Sequence, residues 1–142
     1  MDPVVDLAPG ADHDPLARQL ADRVRSALER EAARSVFLEM RGAIGIVADD
    51  IDTALTLRFD FGRLTIHEGL VGVPTVTIRG ATADIEALST LSVAGSGLGA
   101  LGDGSRAVAQ VAKSLRARRL KIYGLISHPR LVLRFLRVLA RG

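Results

Sequence analysis

Residues 54–69, "ALTLRFDFGRLTIHEG", decide the fold. Leu55, Leu57 and Phe59 alternate with Thr56, Arg58 and Asp60, and after Phe61-Gly62 the alternation resumes as Leu64 and Ile66 against Arg63, Thr65 and His67. A period of two puts one set of side chains on each side of an extended chain, so each run is a strand with one buried face and one wet face. The two-residue interruption ending in glycine joins them as an antiparallel hairpin. Working outward, "GAIGIVA" places Ile44 and Ile46 on one face, and "VPTVTIRG" alternates Val76 and Ile78 with Thr75, Thr77 and Arg79. A fifth strand is expected in "RRLKIYG" (118–124), with Leu120 and Ile122 inward.

Helical spacing brackets these strands. Asp14-Pro15 is a helix start, with Asp as N-cap and Pro in the first turn. Leu16, Leu20, Val24, Leu28 and Ala32 follow at every fourth position, which predicts one amphipathic helix to about Arg34. Thr82 is expected to cap a short helix facing Ile85, Leu88 and Leu91 inward. After the glycines at 95, 97, 99, 102 and 104, "SRAVAQVAKSLRA" reads as another amphipathic helix, and a last one starts near Pro129. Together these predict an α+β fold: a five-stranded, mostly antiparallel sheet with helices packed on one face. The division expected is a flexible leader, residues 1–13, and a single domain, residues 14–142.

A chain of 142 residues with 48% hydrophobic residues can bury a real core, and only 4% are aromatic, so that core must be aliphatic. Few aromatics and no Trp argue against base-stacking nucleic-acid modules. The absence of Cys excludes a disulfide framework, a thiol nucleophile and a Cys-based zinc site. His13, His67 and His128 have no metal-ligand spacing, and neither a metal nor a cofactor is expected. No apolar run reaches the roughly 18 residues of a membrane span. The acidic, Pro-containing N-terminus is unlike a secretory signal, and a cytoplasmic protein is expected.

Charge is distributed unevenly. Ten basic residues and no acidic one follow Asp103, while all sixteen acidic residues precede it or stand there. Such asymmetry fits an acidic partner or anionic surface, or a basic third folded against an acidic remainder. In the last helix Arg130, Arg134, Arg137 and Arg141 are spaced by four, three and four, which makes one narrow stripe. Val132, Phe135, Leu136 and Leu139 lie opposite, with Leu131, Leu133, Val138 and Ala140 on the flanks. A helix resting on a sheet needs an apolar face of about 100°, and this one exceeds it. Deep burial, the wall of a ligand cavity, and contact with a membrane or another chain each account for the excess.

Other candidate chemistry has a plainer structural reading. "GSGLGA" (95–100) matches the dinucleotide-binding letters but follows a helix instead of joining a strand to one, so it reads as a loop. His67-Glu68 and His128 show no evident arrangement with a nucleophile and a third partner, and Asp49, Asp50 and Asp52 read as a hairpin tip rather than a cation site.

The order of "ALTLRFDFGRLTIHEG", "PTVTIRGATADIEALSTL" (74–91) and "RARRLKIYGLISHPRLVLRFLRVL" (116–139) resembles the sterol carrier protein 2 (SCP2) lipid-binding family. With the leading helix the resemblance spans about residues 14 to 141. It implies an SCP2-like sheet whose helices enclose an apolar tunnel for a sterol, fatty acid or acyl-CoA, so the excess apolar face of the last helix becomes a tunnel wall. Leu57, Phe59, Val76, Ile78, Ile122, Phe135, Leu136 and Leu139 are the lining residues expected. The chain ends in Ala-Arg-Gly instead of a peroxisomal signal, which suits a free-standing bacterial-type cytoplasmic protein. The glycine-rich stretch is longer than the family pattern. The function expected is non-enzymatic binding and transfer of an apolar molecule. Arg118, Arg119, Lys121, Arg130, Arg134 and Arg137 are expected to form a surface for an anionic membrane, and nucleic acid is not expected as a partner. The alternative is an interaction module whose basic C-terminal third docks on a protein or nucleic acid. A third reading, an enzyme for an apolar substrate, would use His67 or His128.

Overall fold

The alternating stretches fold as strands of one mixed sheet in the computed structural model, which describes residues 2–90, 113, 117, 120–124 and 127–139. The strands are β1 (Val4–Leu7), β2 (Arg41–Ala48), β3 (Thr53–Asp60), β4 (Arg63–Glu68), β5 (Val76–Gly80) and β6 (Lys121–Tyr123). Their order across the sheet is β1-β4-β3-β2-β5-β6. Among the described residues the helices with defined bounds are α1 (Pro15–Ala27), α2 (Glu31–Glu39), α3 (Thr82–Glu86) and α4 (Pro129–Leu139), with 3-10 turns at Ala11–His13 and Ala87–Thr90. The glycine-rich segment 95–104 and nearly all of the helix expected after it lie outside the described residues.

Two expectations for the sheet are corrected. Among the described residues it has six strands instead of five, because Val4–Leu7, in the stretch read as a loose leader, pairs in parallel with β4. The Arg25 guanidinium on α1 donates to the Val5 carbonyl at 2.9 Å and ties this edge strand to the helix layer. Nor is the sheet nearly all antiparallel. β3 runs antiparallel to β2 and β4, and β6 to β5, but β5 lies parallel to β2 and β1 parallel to β4. β4 and β5 point the same way with β3 and β2 between them, so residues 69–75 must cross the sheet to connect them.

The β3–β4 connection is a two-residue turn. Phe61 and Gly62 both have positive φ, 44° and 94°, which matches the twist of an antiparallel hairpin. Inner positions Ile44, Ile46, Leu55, Leu57, Phe59, Leu64, Ile66, Val76 and Ile78 are all at most 2% exposed.

The first helix starts as expected, with the Asp14 carboxylate accepting from Leu16 N at 2.9 Å and Ala17 N at 3.3 Å. It stops at Ala27, however, and a separate helix begins at Glu31. Spacing by four explains the error. Each step of four turns about 40° past a full circle, so Leu16 and Ala32 would stand about 160° apart on a straight helix. The break at Leu28–Arg30 resets the phase: Ala32 is exposed, while Ala33 and Phe37 face the core.

The acidic residues after β2 sit at the tip of the β2–β3 hairpin, as expected. Asp49 pairs with Arg79 at 2.9 Å, and Asp52 takes a positive φ of 51° in the turn. The Asp50 carboxylate accepts from both the amide and the hydroxyl of Thr82 at 2.8 Å. Thr82 is thus the first residue of α3 and not its N-cap. That position belongs to Ala81, and the carboxylate comes from a distant strand connection. The Thr82 amide, with the Thr82 hydroxyl second, holds the Asp50 carboxyl below its ordinary pKa.

Candidate ligand-binding site

The residues expected to line a tunnel come together in one apolar core. Leu57 and Val76 flank Ile44 in register across β3, β2 and β5, while Ile78 lies beside Ile46 on one side and Ile122 on the other. Above them α4 presents Phe135, Leu136 and Leu139. Phe59 is the joint between layers: its ring meets Phe37 of α2 at 6.1 Å and Phe135 of α4 at 6.0 Å, both edge-on. Such pairs add about 0.5–1.5 kcal/mol to the burial of the rings themselves.

Seven of the eight expected lining residues are at most 2% exposed, and Ile122 is half-buried. They are packed against their neighbours as core. Packing on several sides also accounts for the wide apolar circumference of α4. It contacts α1, α2 and the 3-10 turn at Ala87–Thr90, and the Leu131 side chain reaches the Cβ-less surface of Gly42 in β2. Phe37 and Met40, fully buried in the same cluster, were missed in the sequence. Both follow the break in the helix, where the assumed phase had already failed.

Leu139 is the expected lining residue that also reaches a surface cleft. An open cleft of about 870 Å³ runs along α1 and past its end to Arg30, and meets the end of α4 at Leu139. Pro15, Ala27 and Leu139 make its apolar part, and Arg18, Asp22 and Glu29 are among its polar residues. A second open cleft, about 420 Å³, surrounds the start of α4 and includes Arg41, His128, Arg130 and Arg134.

Of the described basic residues, Lys121 does not share a face with the α4 arginines. On α4, Arg130 is exposed, Arg137 is half-buried, and Arg134 faces the Glu39 carboxylate at 3.7 Å. Lys121 lies on the outer face of β6, across the sheet from α4, because its neighbour Ile122 pairs with Ile78 on the inner side. Arg118 and Arg119 lie outside the described residues.

The two histidines are also separated. His67 is half-buried on the outer face of β4, opposite Thr56, and His128 is exposed before α4. Among the described residues no cluster of three His, Cys, Asp or Glu side chains could hold a metal ion. Among them, too, no helix is long and apolar enough to cross a membrane.

No family model matches the chain, and no curated protein matches it. Among solved structures it is similar to "UbiJ-SCP2 Ubiquinone synthesis protein", with a TM-score of 0.59 and 15% sequence identity. The match covers 89% of this chain and 91% of that one. The chain therefore has an SCP2-like fold.

Proposed function

We propose that this SCP2-like domain binds an apolar small molecule between its sheet and its helices, and carries it without transforming it. The observation that carries the reading is the SCP2-like fold around an interior of apolar side chains. Leu57, Phe59, Val76, Ile78, Ile122, Phe135, Leu136 and Leu139 would meet the ligand, with α1 and α4 giving way to admit it. The cleft at Leu139 is the entrance in this reading. Its size falls in the range of small-molecule sites, and a lining that mixes apolar and charged side chains suits a greasy molecule with a polar end. Sterols, fatty acids and acyl-CoA are the ligand classes of this reading. The structural neighbour, a ubiquinone synthesis protein by name, adds apolar compounds of that synthesis. His67 and His128 take no part in chemistry.

Titration with a fluorescent fatty-acid probe tests the proposal. Saturable binding is expected with a Kd of roughly 1 μM, about −8 kcal/mol. Absence of saturable binding across fatty-acid, sterol and polyprenyl probes would sink it.

A further inference from the structure

The crossing from β4 to β5, residues 69–75 ("GLVGVPT"), is held firmly at its base and presents apolar side chains to solvent. On the outer face of the sheet Thr56 is completely buried beneath it. The Thr56 hydroxyl donates to the Gly69 carbonyl at 2.8 Å and accepts from the Val71 amide at 2.9 Å, fixing both ends of a short turn. Beside it, Gly45 leaves room for Leu70 and Pro74: a Cβ there would lie 2.9 Å from Leu70 Cδ2 and 3.1 Å from Pro74 Cγ. The far side of the loop stands clear. Gly69 and Gly72, at φ of 79° and 70°, have no atom within 4 Å of where a Cβ would be.

Leu70, Val71 and Val73 are 49%, 41% and 94% exposed, and Tyr123 is 56% exposed on the same face. Tyr123 pairs with Thr77, which pairs with Gly45, so the tyrosine stands two strands, about 10 Å, from the position Leu70 covers. These are four of the six large hydrophobic side chains exposed among the described residues, and none of the six is on α4.

Charge around this patch is complementary to an anionic surface. The outer strand positions carry Arg41, Arg58, Arg63, Arg79 and Lys121. Asp6 pairs with Arg63 and Asp49 with Arg79, and exposed Asp60 lies opposite Arg41 in register. Among the described residues Arg58 and Lys121 have no salt-bridge partner, and both are exposed on the side of the apolar loop. Aliphatic side chains on a projecting loop, with such cations beside them, fit the boundary between lipid headgroups and acyl chains.

We propose that this outer face of the sheet, with Leu70, Val71 and Val73 at its centre, docks on an anionic lipid surface. The valines and leucine enter the interface, Tyr123 lies at headgroup level, and Arg58 and Lys121 meet lipid phosphates. Docking here turns the helices and the α1–α4 cleft away from the lipid, so the surface is distinct from the α4 arginines and does not depend on what the interior holds.

The test is co-sedimentation with phosphatidylcholine vesicles with and without phosphatidylserine. The full chain should sediment with the anionic vesicles. Val73→Asp, at a position open enough to spare folding, should weaken this at least about tenfold. Arg58→Glu with Lys121→Glu should remove the preference for anionic vesicles. Replacing Arg130, Arg134 and Arg137 together by Gln should leave vesicle binding unchanged. Val73→Asp should also bind a soluble fatty-acid probe as the parent does, which separates docking from ligand binding. Undiminished vesicle binding by Val73→Asp, or its loss only in the α4 arginine variant, would overturn the proposal. So would failure of the parent protein to bind either kind of vesicle.

Discussion

Replacing Phe135 by alanine lowers the unfolding free energy by about 3–5 kcal/mol. Phe135 is fully buried, and its ring links α4 to Phe59 and, through Phe59, to α2. Removing it takes a large apolar side chain from water-free surroundings and leaves a void between the layers, so the transfer and cavity costs add. Denaturant titration followed by circular dichroism measures the loss. A change below about 1 kcal/mol would mean that the sheet and helices are not packed as described. The same variant has a second use. A ligand that fills the interior should recover stability by RT ln(1 + [L]/Kd), about 2.7 kcal/mol at a hundredfold excess over Kd.

Gly124→Ala is the second large effect. Gly124 follows β6 with a φ of 94°, which favours glycine, and a Cβ there would stand 2.7 Å from the Thr75 carbonyl oxygen. Neither the backbone oxygen nor the neighbouring Val76 Cα, at 3.4 Å, can move aside as a flexible side chain would. Strain of this kind costs about 1–3 kcal/mol before the contact is counted, and the displaced chain is the one that pairs β6 with β5. Gly72→Ala is the control: φ is also positive, at 70°, but nothing lies within 4 Å. Denaturation midpoints should therefore fall clearly further for Gly124→Ala than for Gly72→Ala. Equal shifts would show that the close approach to Thr75 contributes nothing.

The hairpin at Thr53–Glu68 was legible because a period of two survives any error of register within a strand, and Phe61-Gly62 named its own turn. Helical phase was less secure. Leu16 to Ala32 at steps of four looked like one stripe, yet that spacing winds around the helix. The break at Leu28–Arg30, and with it the inward aim of Phe37, could not be seen. Val4–Leu7 was hidden for another reason: Pro3, Asp6 and Pro9 obscure four residues that become a strand only because β4 offers a parallel edge. The parallel pairing of β5 with β2 depends on the crossing at residues 69–75, a long-range matter that alternation does not encode. Much the same holds for the site. Alternation marked Leu57, Phe59, Val76 and Ile78 as inward, and they are. It could not separate a side chain that fills a core from one that touches a ligand, because both need the same apolar chemistry. Nor could it place Lys121 opposite the α4 arginines, since that separation comes from the sheet between them.

The most direct test of the central claim, that this fold holds an apolar molecule, is mass spectrometry of organic extracts of the purified protein. Binding between sheet and helices predicts a defined lipid or polyprenyl compound, near stoichiometric with the protein and absent from a control protein purified alongside. An extract with no apolar compound above that control would contradict it, and would leave Phe59, Phe135 and their neighbours as packing alone.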